Sequence, residues 1–143
     1  MSLQEQQNLK ERYYSDAIRF MENAKECLTK AKKEGKYYND HKYVKMACGT
    51  AYSGVLLALD GFFILKGIEL PKGKNRKSIE FYHNNLGKID RKMLHTLNSA
   101  YEVLHLWGYY DGIKKVNIIK EGFDDAYTII EKIKPKHHHY VDS

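Results

Sequence analysis

The sequence predicts an all-α protein, an antiparallel up-down four-helix bundle with one additional short helix. Apolar residues recur at helical spacing along most of the chain, and no stretch alternates apolar and polar residues for long enough to form a strand. Both prolines, Pro71 and Pro135, lie outside the helical patterns. The connections between the predicted helices are short, as is typical of up-down bundles.

The length of 143 residues predicts one domain, because domains usually contain about 100–150 residues. We expect a single bundle over 1–143, with an ordered core at about 8–134 and a flexible tail at 135–143. The apolar run 55–65 is interrupted by Asp60 and Gly61 and is too short to span a bilayer, and no signal peptide is recognisable. We therefore expect a cytoplasmic protein without a membrane segment. The net charge of +6 favours weak attraction to phosphate but does not establish it.

The first predicted helix covers about residues 8–33 and is stopped by Gly35. Its apolar face consists of Tyr14, Ala17, Met21, Ala24, Leu28 and Ala31. Alanine occupies every second position of this face, which makes the surface smooth. Such a face favours close approach of a neighbouring helix.

The second predicted helix begins after Asn39 and Asp40, which are good capping residues, and runs to about Lys66, with Gly67 as its terminator. One face consists only of small residues: Ala47, Ala51, Gly54, Ala58 and Gly61. Glycine inside a helix costs about 1 kcal/mol relative to alanine, and this helix contains three, Gly49, Gly54 and Gly61. We expect a tightly packed hairpin, in which these glycines approach the alanines of the first helix.

The remaining chain predicts one short helix and two longer ones. Ser78 caps a short helix over about 79–86 that Gly87 ends, and Asp90 caps a fourth helix that ends near Gly112. A fifth helix runs from Lys114 or Asn117 to Lys134. The fourth helix has the core positions Leu94, Leu97, Tyr101, Leu104 and Trp107, and the fifth has Ile119, Phe123, Ala126, Ile130 and Ile133.

The two cysteines, Cys27 and Cys48, have neither metal-ligand spacing nor a CxxC arrangement. We expect reduced, packed thiols. The alternative is that the two are in contact, because a hairpin that turns near Tyr37 would place them at similar heights. No metal motif, phosphate-binding loop or nucleophile elbow occurs in the sequence, so neither a metal nor a cofactor is predicted.

Asp60 is the first candidate site residue. Its neighbours one helical turn away are Leu56, Leu57, Phe63 and Ile64. A carboxylate among apolar side chains is costly unless it is paired or reaches an edge. Asp60 is therefore either a site carboxylate, or a carboxylate satisfied by a nearby Tyr, Lys or His, or one that protrudes beside Gly61.

The segment 105–111 is rich in aromatic and polar side chains and supplies further candidates. The ligand-binding candidates are Asp60, His105, Tyr109, Tyr110 and Asp111. Aromatic rings can stack on bases, and His105 could act as a general base near neutral pH. The alternative is packing, with Leu104 and Trp107 in the core and His105 bonded to Glu102 or Asp60.

Two segments of this chain, Ala51 to Gly67 and Leu104 to Asp111, resemble HEPN domains, which are helical bundles also found beside minimal nucleotidyltransferases. The resemblance covers about residues 10–134. Many HEPN proteins are metal-independent ribonucleases, with a signature of arginine, four to six residues and then histidine. At the corresponding position this chain has His105, four residues, Tyr110 and Asp111. Imidazole cannot replace the bidentate guanidinium on phosphate, so the resemblance implies an eroded signature.

Three functions follow as hypotheses. The leading one is a non-catalytic HEPN-like bundle that acts as an interaction or nucleotide- or nucleic-acid-binding module, as a homodimer, with nucleic acid or a nucleotidyltransferase-type protein as partner. The second is a metal-independent, toxin-type ribonuclease that uses His105 or the pair Arg76 and His83, which six residues separate. The third is a structural adaptor bundle that binds no small ligand.

Overall fold

The computed structural model describes residues 1–72 and 78–136. Its α-helices are α1 (Leu3–Ala31), α2 (His41–Leu65), α3 (Ile79–Ile89), α4 (Arg91–Ala100) and α5 (Val116–Ile130). A π-helix covers Tyr101–Tyr110, a 3-10 turn covers Glu131–Ile133, and the strands β1 (Lys33–Glu34) and β2 (Tyr37–Tyr38) form a hairpin. The described chain is mostly helical, which confirms the all-α class.

Helices α1 and α2 pack closely against each other along the small-residue face of α2. Gly54 lies against Ala17 and Phe20, whereas Gly61, further along α2, lies against Tyr13, which comes earlier in α1. The two helices therefore run antiparallel. All five residues of the predicted small face are buried, which confirms the hairpin, and this contact is called the seam below. At Gly54 and Gly61 the close neighbours include the aromatic side chains of α1 as well as its alanines.

Helix α1 begins five residues before the predicted start and ends before the predicted stop. The Ser2 hydroxyl accepts a hydrogen bond from the Glu5 amide, and the Glu5 side chain accepts one from the Ser2 amide. This reciprocal capping box fixes the start of the helix at Leu3. At the other end, Lys32 has a φ of 57° and terminates the helix. Gly35, with a φ of 64°, belongs to the turn that follows rather than to the helix end.

A two-stranded hairpin joins α1 to α2, so the prediction that the chain has no strand is wrong at this point. Its antiparallel pairs are Lys33 with Tyr38 and Glu34 with Tyr37. Two residues per strand are too few to produce an alternating pattern in the sequence. The hairpin also holds the beginning of α5, because the Tyr38 amide donates to the Lys114 carbonyl and the Val116 amide donates to the Lys36 carbonyl.

The predicted caps of the middle helices are present. Gly67 has a φ of 77° and donates to Ile64, while Ile68 donates to Phe63, which is the hydrogen-bond pattern of a Schellman terminus of α2. Ser78 caps α3 and Asp90 caps α4 through their side-chain oxygens. Helix α3 continues through Gly87 to Ile89, so the prediction that Gly87 ends it is wrong.

The predicted fourth helix is divided in the structure, because its second half, Tyr101–Tyr110, is a π-helix. A π-helix has a wider turn than an α-helix, so core positions that follow α-helical spacing lose their register within it. Trp107, predicted in the core, is 37% exposed, and Gly108 is buried in its place. A Cβ atom on Gly108 would lie 2.6 Å from the Cβ of Cys48, so only glycine lets this turn rest on α2.

Helix α2 is the centre of the core and is also strongly apolar. By length and composition alone it could cross a membrane, with a mean hydropathy of 1.6 over its most apolar window. However, 61% of that window is buried inside the protein, as in the central helix of a globular core. The expectation that no segment spans a membrane stays a prediction.

Helix α5 packs on this core with the predicted face. Ile119, Phe123, Ala126, Ile130 and Ile133 are all buried. Beyond it, Pro135 is buried, and the Lys136 amide donates to the Gln7 side chain on α1. The described beginning of the predicted tail therefore packs on α1, and 137–143 lie outside the described residues.

Candidate functional site

An open cleft of about 720 Å³ lies where several elements of the fold meet. Phe20 comes from α1, Tyr52 from α2 and Ile79 from the first turn of α3, while His105 and Tyr109 come from the π-helix. Ligand pockets in proteins usually measure about 300–1,000 Å³ and are lined mainly by apolar and aromatic side chains. The cleft has both the size and the lining of a small-molecule site.

One face of α2 forms the floor of the cleft. Gly49, Tyr52, Ser53 and Leu56 all line it, and their spacing of three, four and seven residues places them on one side of a helix. A Cβ atom on Gly49 would lie 2.8 Å from the ring of Tyr109. Gly49 therefore makes room for an aromatic ring of the π-helix, and not, as predicted, for the alanines of α1.

His105 lies within a group of tyrosine rings. Its imidazole stacks on Tyr52 at a centroid distance of 4.8 Å and an interplanar angle of 29°, and on Tyr109 at 5.9 Å and 12°. Tyr101 lies at 5.2 Å, and Tyr110 meets the imidazole edge-on at 5.0 Å. The contacts of His105 are thus with rings, whereas the packing hypothesis expected a bond to Glu102 or Asp60.

The π-helix explains why these rings lie together. Three of the rings are spaced by four residues: Tyr101, His105 and Tyr109. The turn of a π-helix is wider than that of an α-helix, so residues at this spacing lie closer to one face of the helix. Most π-helical segments are single-turn bulges, and they occur frequently at functional sites. A π-helix of 10 residues beside the cleft is therefore a structural reason to place the site here.

Burial shifts the pKa of two side chains that line the cleft, His105 and Tyr52. It lowers the pKa of His105 below the ordinary value for histidine, because desolvation disfavours the imidazolium. Burial, assisted by the neighbouring Tyr101, raises the pKa of Tyr52. At neutral pH the imidazole of His105 is therefore neutral, and it shares the cleft with tyrosine rings that can stack and hydrogen-bond.

Asp60 belongs to the core and not to the cleft. Its carboxylate accepts a hydrogen bond of 2.7 Å from the hydroxyl of Tyr82, which is fully buried on α3. The ring of Tyr82 stacks on Phe63 at 5.8 Å, in the same layer. This matches the hypothesis of a carboxylate satisfied by a nearby tyrosine, and Asp60 fastens α3 to α2.

His83 lies behind the cleft, on α3. Its ring meets Tyr101 at a centroid distance of 6.3 Å, and its Nε2 atom is buried without a hydrogen-bond partner among the described residues. Arg76, its predicted catalytic partner, lies outside the described residues. The structure therefore gives no geometry for the Arg76 and His83 pair.

The last two candidates lie at the end of the π-helix. Tyr110 is 61% exposed and touches the edge of His105, so it borders the cleft. Asp111 is exposed and lines a smaller depression of about 370 Å³ with Trp107, Ile113 and Ile118. Of the five predicted ligand-binding residues, His105 and Tyr109 line the cleft, Tyr110 borders it, and Asp60 and Asp111 lie elsewhere.

Sequence reasoning missed the α2 side of the site. Tyr52 stacks directly on His105 but was not among the candidates. The available signal was the spacing of Gly49, Tyr52, Ser53 and Leu56, which marks a second face of α2 beside the small-residue face. Met46 was also missed, although it lines the cleft and is 48% exposed.

The cysteines take no part in the cleft. Cys27 and Cys48 are both free. Burial raises the pKa of the Cys48 thiol to about 12, so it remains protonated and unreactive at neutral pH. Within residues 1–72 and 78–136, no group of three or more His, Cys, Asp or Glu side chains is arranged to hold a metal ion.

Comparison with known proteins identifies the family of the chain. Residues 12–135 match the family described as a domain of unknown function, DUF5618. The chain belongs to this family. A solved structure of a protein of unknown function from Dyadobacter fermentans is 41% identical, with a TM-score of 0.76 over 87% of this chain and 94% of that one. No curated protein matches the chain. Neither description names a ligand or an activity.

Proposed function

We propose that this chain is a non-catalytic binding module, built as an up-down helical bundle of the HEPN-like kind, whose cleft takes a flat aromatic group such as a nucleobase. The observation that carries the proposal is that His105 stacks on Tyr52 and on Tyr109 at the wall of the cleft. Aromatic and imidazole rings are the side chains on which proteins stack unpaired bases.

The composition of the cleft supports this ligand class. Aromatic side chains enter it from α1, α2 and the π-helix, so a flat ring can be contacted from more than one direction. Thr50 and Ser53 add hydroxyl groups that can bind the polar edge of a base. The combination of an apolar lining with a few polar groups is the usual basis for orienting a heterocyclic ligand.

We propose no catalysis because the described residues that line the cleft include one histidine and no cationic partner for it. Lysine and arginine are absent from the described residues that line it, and stabilisation of the charge on a transferred phosphate requires such a group or a metal. The module is further proposed to act in the cytoplasm as a homodimer, with nucleic acid or a nucleotidyltransferase-type protein as its partner.

The test is a calorimetric titration of the purified protein with adenosine and with a short single-stranded oligoadenylate. We expect both to bind, and Tyr109→Leu to weaken binding roughly tenfold, since base–aromatic stacking contributes about 1–3 kcal/mol. Tyr37→Leu is the matched control, because Tyr37 is a similarly exposed tyrosine on β2, away from the cleft. A preference for the oligoadenylate would indicate strand binding, and a preference for adenosine would indicate a small ligand.

Three results would overturn the proposal. Absence of binding by adenosine and oligoadenylate would favour the adaptor hypothesis. An equal loss of affinity in Tyr37→Leu would place binding outside the cleft. Cleavage of the oligonucleotide in the absence of metal, abolished by His105→Ala, would instead establish the ribonuclease hypothesis.

A further inference from the structure

The charges around the cleft distinguish between possible ligands. Among the described residues that line it there is no carboxylate, and His105 is the one side chain with an ordinary pKa near neutrality. The whole chain has a net charge of +6. A cationic ligand would therefore meet no counter-charge in the cleft, whereas an anionic ligand would meet a group that can become positive.

The surroundings of His105 contain several titratable groups but no described counter-ion. Tyr52 faces it from α2, Tyr101 and Tyr109 face it from the π-helix, and Tyr110 meets its edge. Two further titratable groups lie nearby: His83 on α3 contacts Tyr101, and Glu102 of the π-helix is exposed and does not line the cleft. From α1, the cleft is lined by the uncharged Phe20.

Burial disfavours the imidazolium form of His105, whereas an anion bound in the cleft would favour it. Burial lowers the pKa of His105, and no carboxylate among the described lining residues opposes that effect. The faces of Tyr52 and Tyr109 can nevertheless stabilise an adjacent cation. No carboxylate is among the described residues that line the cleft, and a bound ligand can provide the negative charge.

We propose that the cleft selects an aromatic ligand that carries a negatively charged group, such as a nucleotide phosphate, and that His105 takes up a proton when this ligand binds. The inference rests on the proposed function and adds the charge of the ligand to it. The imidazolium then pairs with the anion while the ligand ring stacks on the tyrosines. The one bond that forms is an N–H bond of the imidazolium, and its proton is released by a hydronium ion or by the buffer.

Coupling to a proton gives the binding a defined dependence on pH. The ligand raises the pKa of His105, so the complex holds one more proton than its separated components in the range between the two pKa values. Affinity therefore increases as pH falls through that range. Each unit by which the ligand raises the pKa strengthens binding roughly tenfold at low pH.

The experiment compares adenosine with its 5′-methylphosphate diester, whose single negative charge is constant over the pH range used. Calorimetric titrations are run at about pH 5.5 and about pH 8.5, on either side of the histidine range. We expect the diester to bind roughly tenfold more tightly at the lower pH. The affinity for adenosine should be nearly the same at both.

Two substitutions assign the effect to one side chain. His105→Phe keeps a ring that can stack but cannot be protonated, and should remove the pH dependence of the diester affinity. His95→Phe is the matched control, because His95 is an exposed histidine of α4 that does not line the cleft. An NMR titration of the wild-type imidazole should show a higher pKa for His105 in the complex, and this measurement requires no variant.

The outcomes separate the inference from the function on which it rests. If adenosine binds but the diester shows no dependence on pH, or keeps it in His105→Phe, the inference is wrong and the proposed function stands. An unchanged His105 pKa in the complex has the same meaning. If neither ligand binds at either pH, the proposed function is wrong as well.

Discussion

The seam and the cleft use glycine on the same helix for opposite purposes. At the seam, Gly54 and Gly61 let α2 approach α1, and the atoms they meet include the Ala17 carbonyl and the Cβ of Tyr13. These atoms are part of the α1 backbone or directly attached to it. At the cleft, Gly49 meets the ring of Tyr109, a side chain that is 46% exposed.

The difference shows that glycine can serve helix packing at the seam and the shape of the binding surface at the cleft. A methyl group at the seam must displace a helix, because its neighbours cannot move independently. A methyl group at position 49 needs only to displace an exposed ring. The seam should therefore respond to substitution mainly in the free energy of unfolding, and the cleft mainly in binding.

The largest expected effect of a substitution is a loss of stability at the seam. Gly61→Ala places a methyl group 2.8 Å from the Tyr13 Cβ and should lower the free energy of unfolding by about 3 kcal/mol, at the upper end of ordinary overpacking. Urea denaturation measures this change. Gly87→Ala is the matched control, because its nearest neighbour would be 3.7 Å away, and it should raise stability by about 0.5–1 kcal/mol. Equal effects of the two substitutions would refute close packing at the seam.

The second-largest effect on the free energy of unfolding is expected at the contact between α2 and α3. Tyr82→Phe removes the hydroxyl that donates to the buried Asp60 side chain and should lower the free energy of unfolding by about 2 kcal/mol, because a buried acceptor loses a hydrogen-bond donor. Thermal and urea unfolding measure the loss. Tyr127→Phe, at a half-buried tyrosine that contacts Lys25 through its ring, should have little effect. If both variants are as stable as the wild type, Asp60 does not depend on Tyr82.

Gly49→Ala tests the glycine of the cleft, for comparison with the glycines of the seam. The added methyl group should turn the exposed Tyr109 ring away, and the gain in helix propensity offsets part of the cost, so stability should change by less than about 1 kcal/mol. Adenosine affinity should fall, because Tyr109 leaves its place beside His105. Unfolding and calorimetric titration of the same preparation separate the two effects. If Gly49→Ala loses as much stability as Gly61→Ala, the seam and the cleft do not differ in their response to substitution.

The smallest expected effect is on how the free energy of unfolding changes at acidic pH. Because burial lowers the pKa of His105, the unfolded chain binds a proton at a pH where the folded chain does not, and stability falls as pH drops through the normal histidine range. His105→Phe should lose less stability than the wild type between about pH 7.5 and about pH 5.5. His95→Phe should behave as the wild type does. Identical pH profiles for all three proteins would contradict the burial of His105.

Most of the fold could be predicted because its helices have strong, regular patterns. The buried faces of α1, α2 and α5 agree with the predicted ones except at Leu28, which is half-buried, since small and apolar residues recur there at α-helical spacing. The hairpin strands and the capping box at Ser2 were missed. Each involves only a few residues, and so leaves little periodic signal in the sequence.

The site was harder to predict because it depends on a departure from α-helical geometry. Trp107 was placed in the core by a spacing that the π-helix does not follow, and the structure exposes it. His105 and Tyr109 were recognised from their chemistry, but Tyr52 was missed because it lies 53 residues earlier in the chain, on α2. Local patterns do not report such a distant contact, whereas the packed structure does.

The small hairpin has a consequence for how sequences with this architecture can diverge. It holds the start of α5 through two hydrogen bonds between main-chain groups, from Tyr38 to Lys114 and from Val116 to Lys36. Every residue except proline carries such a donor and an acceptor. The exposed side chains of Lys36 and Lys114 can therefore change over evolutionary time without weakening this connection, whereas Tyr38 also packs in the core.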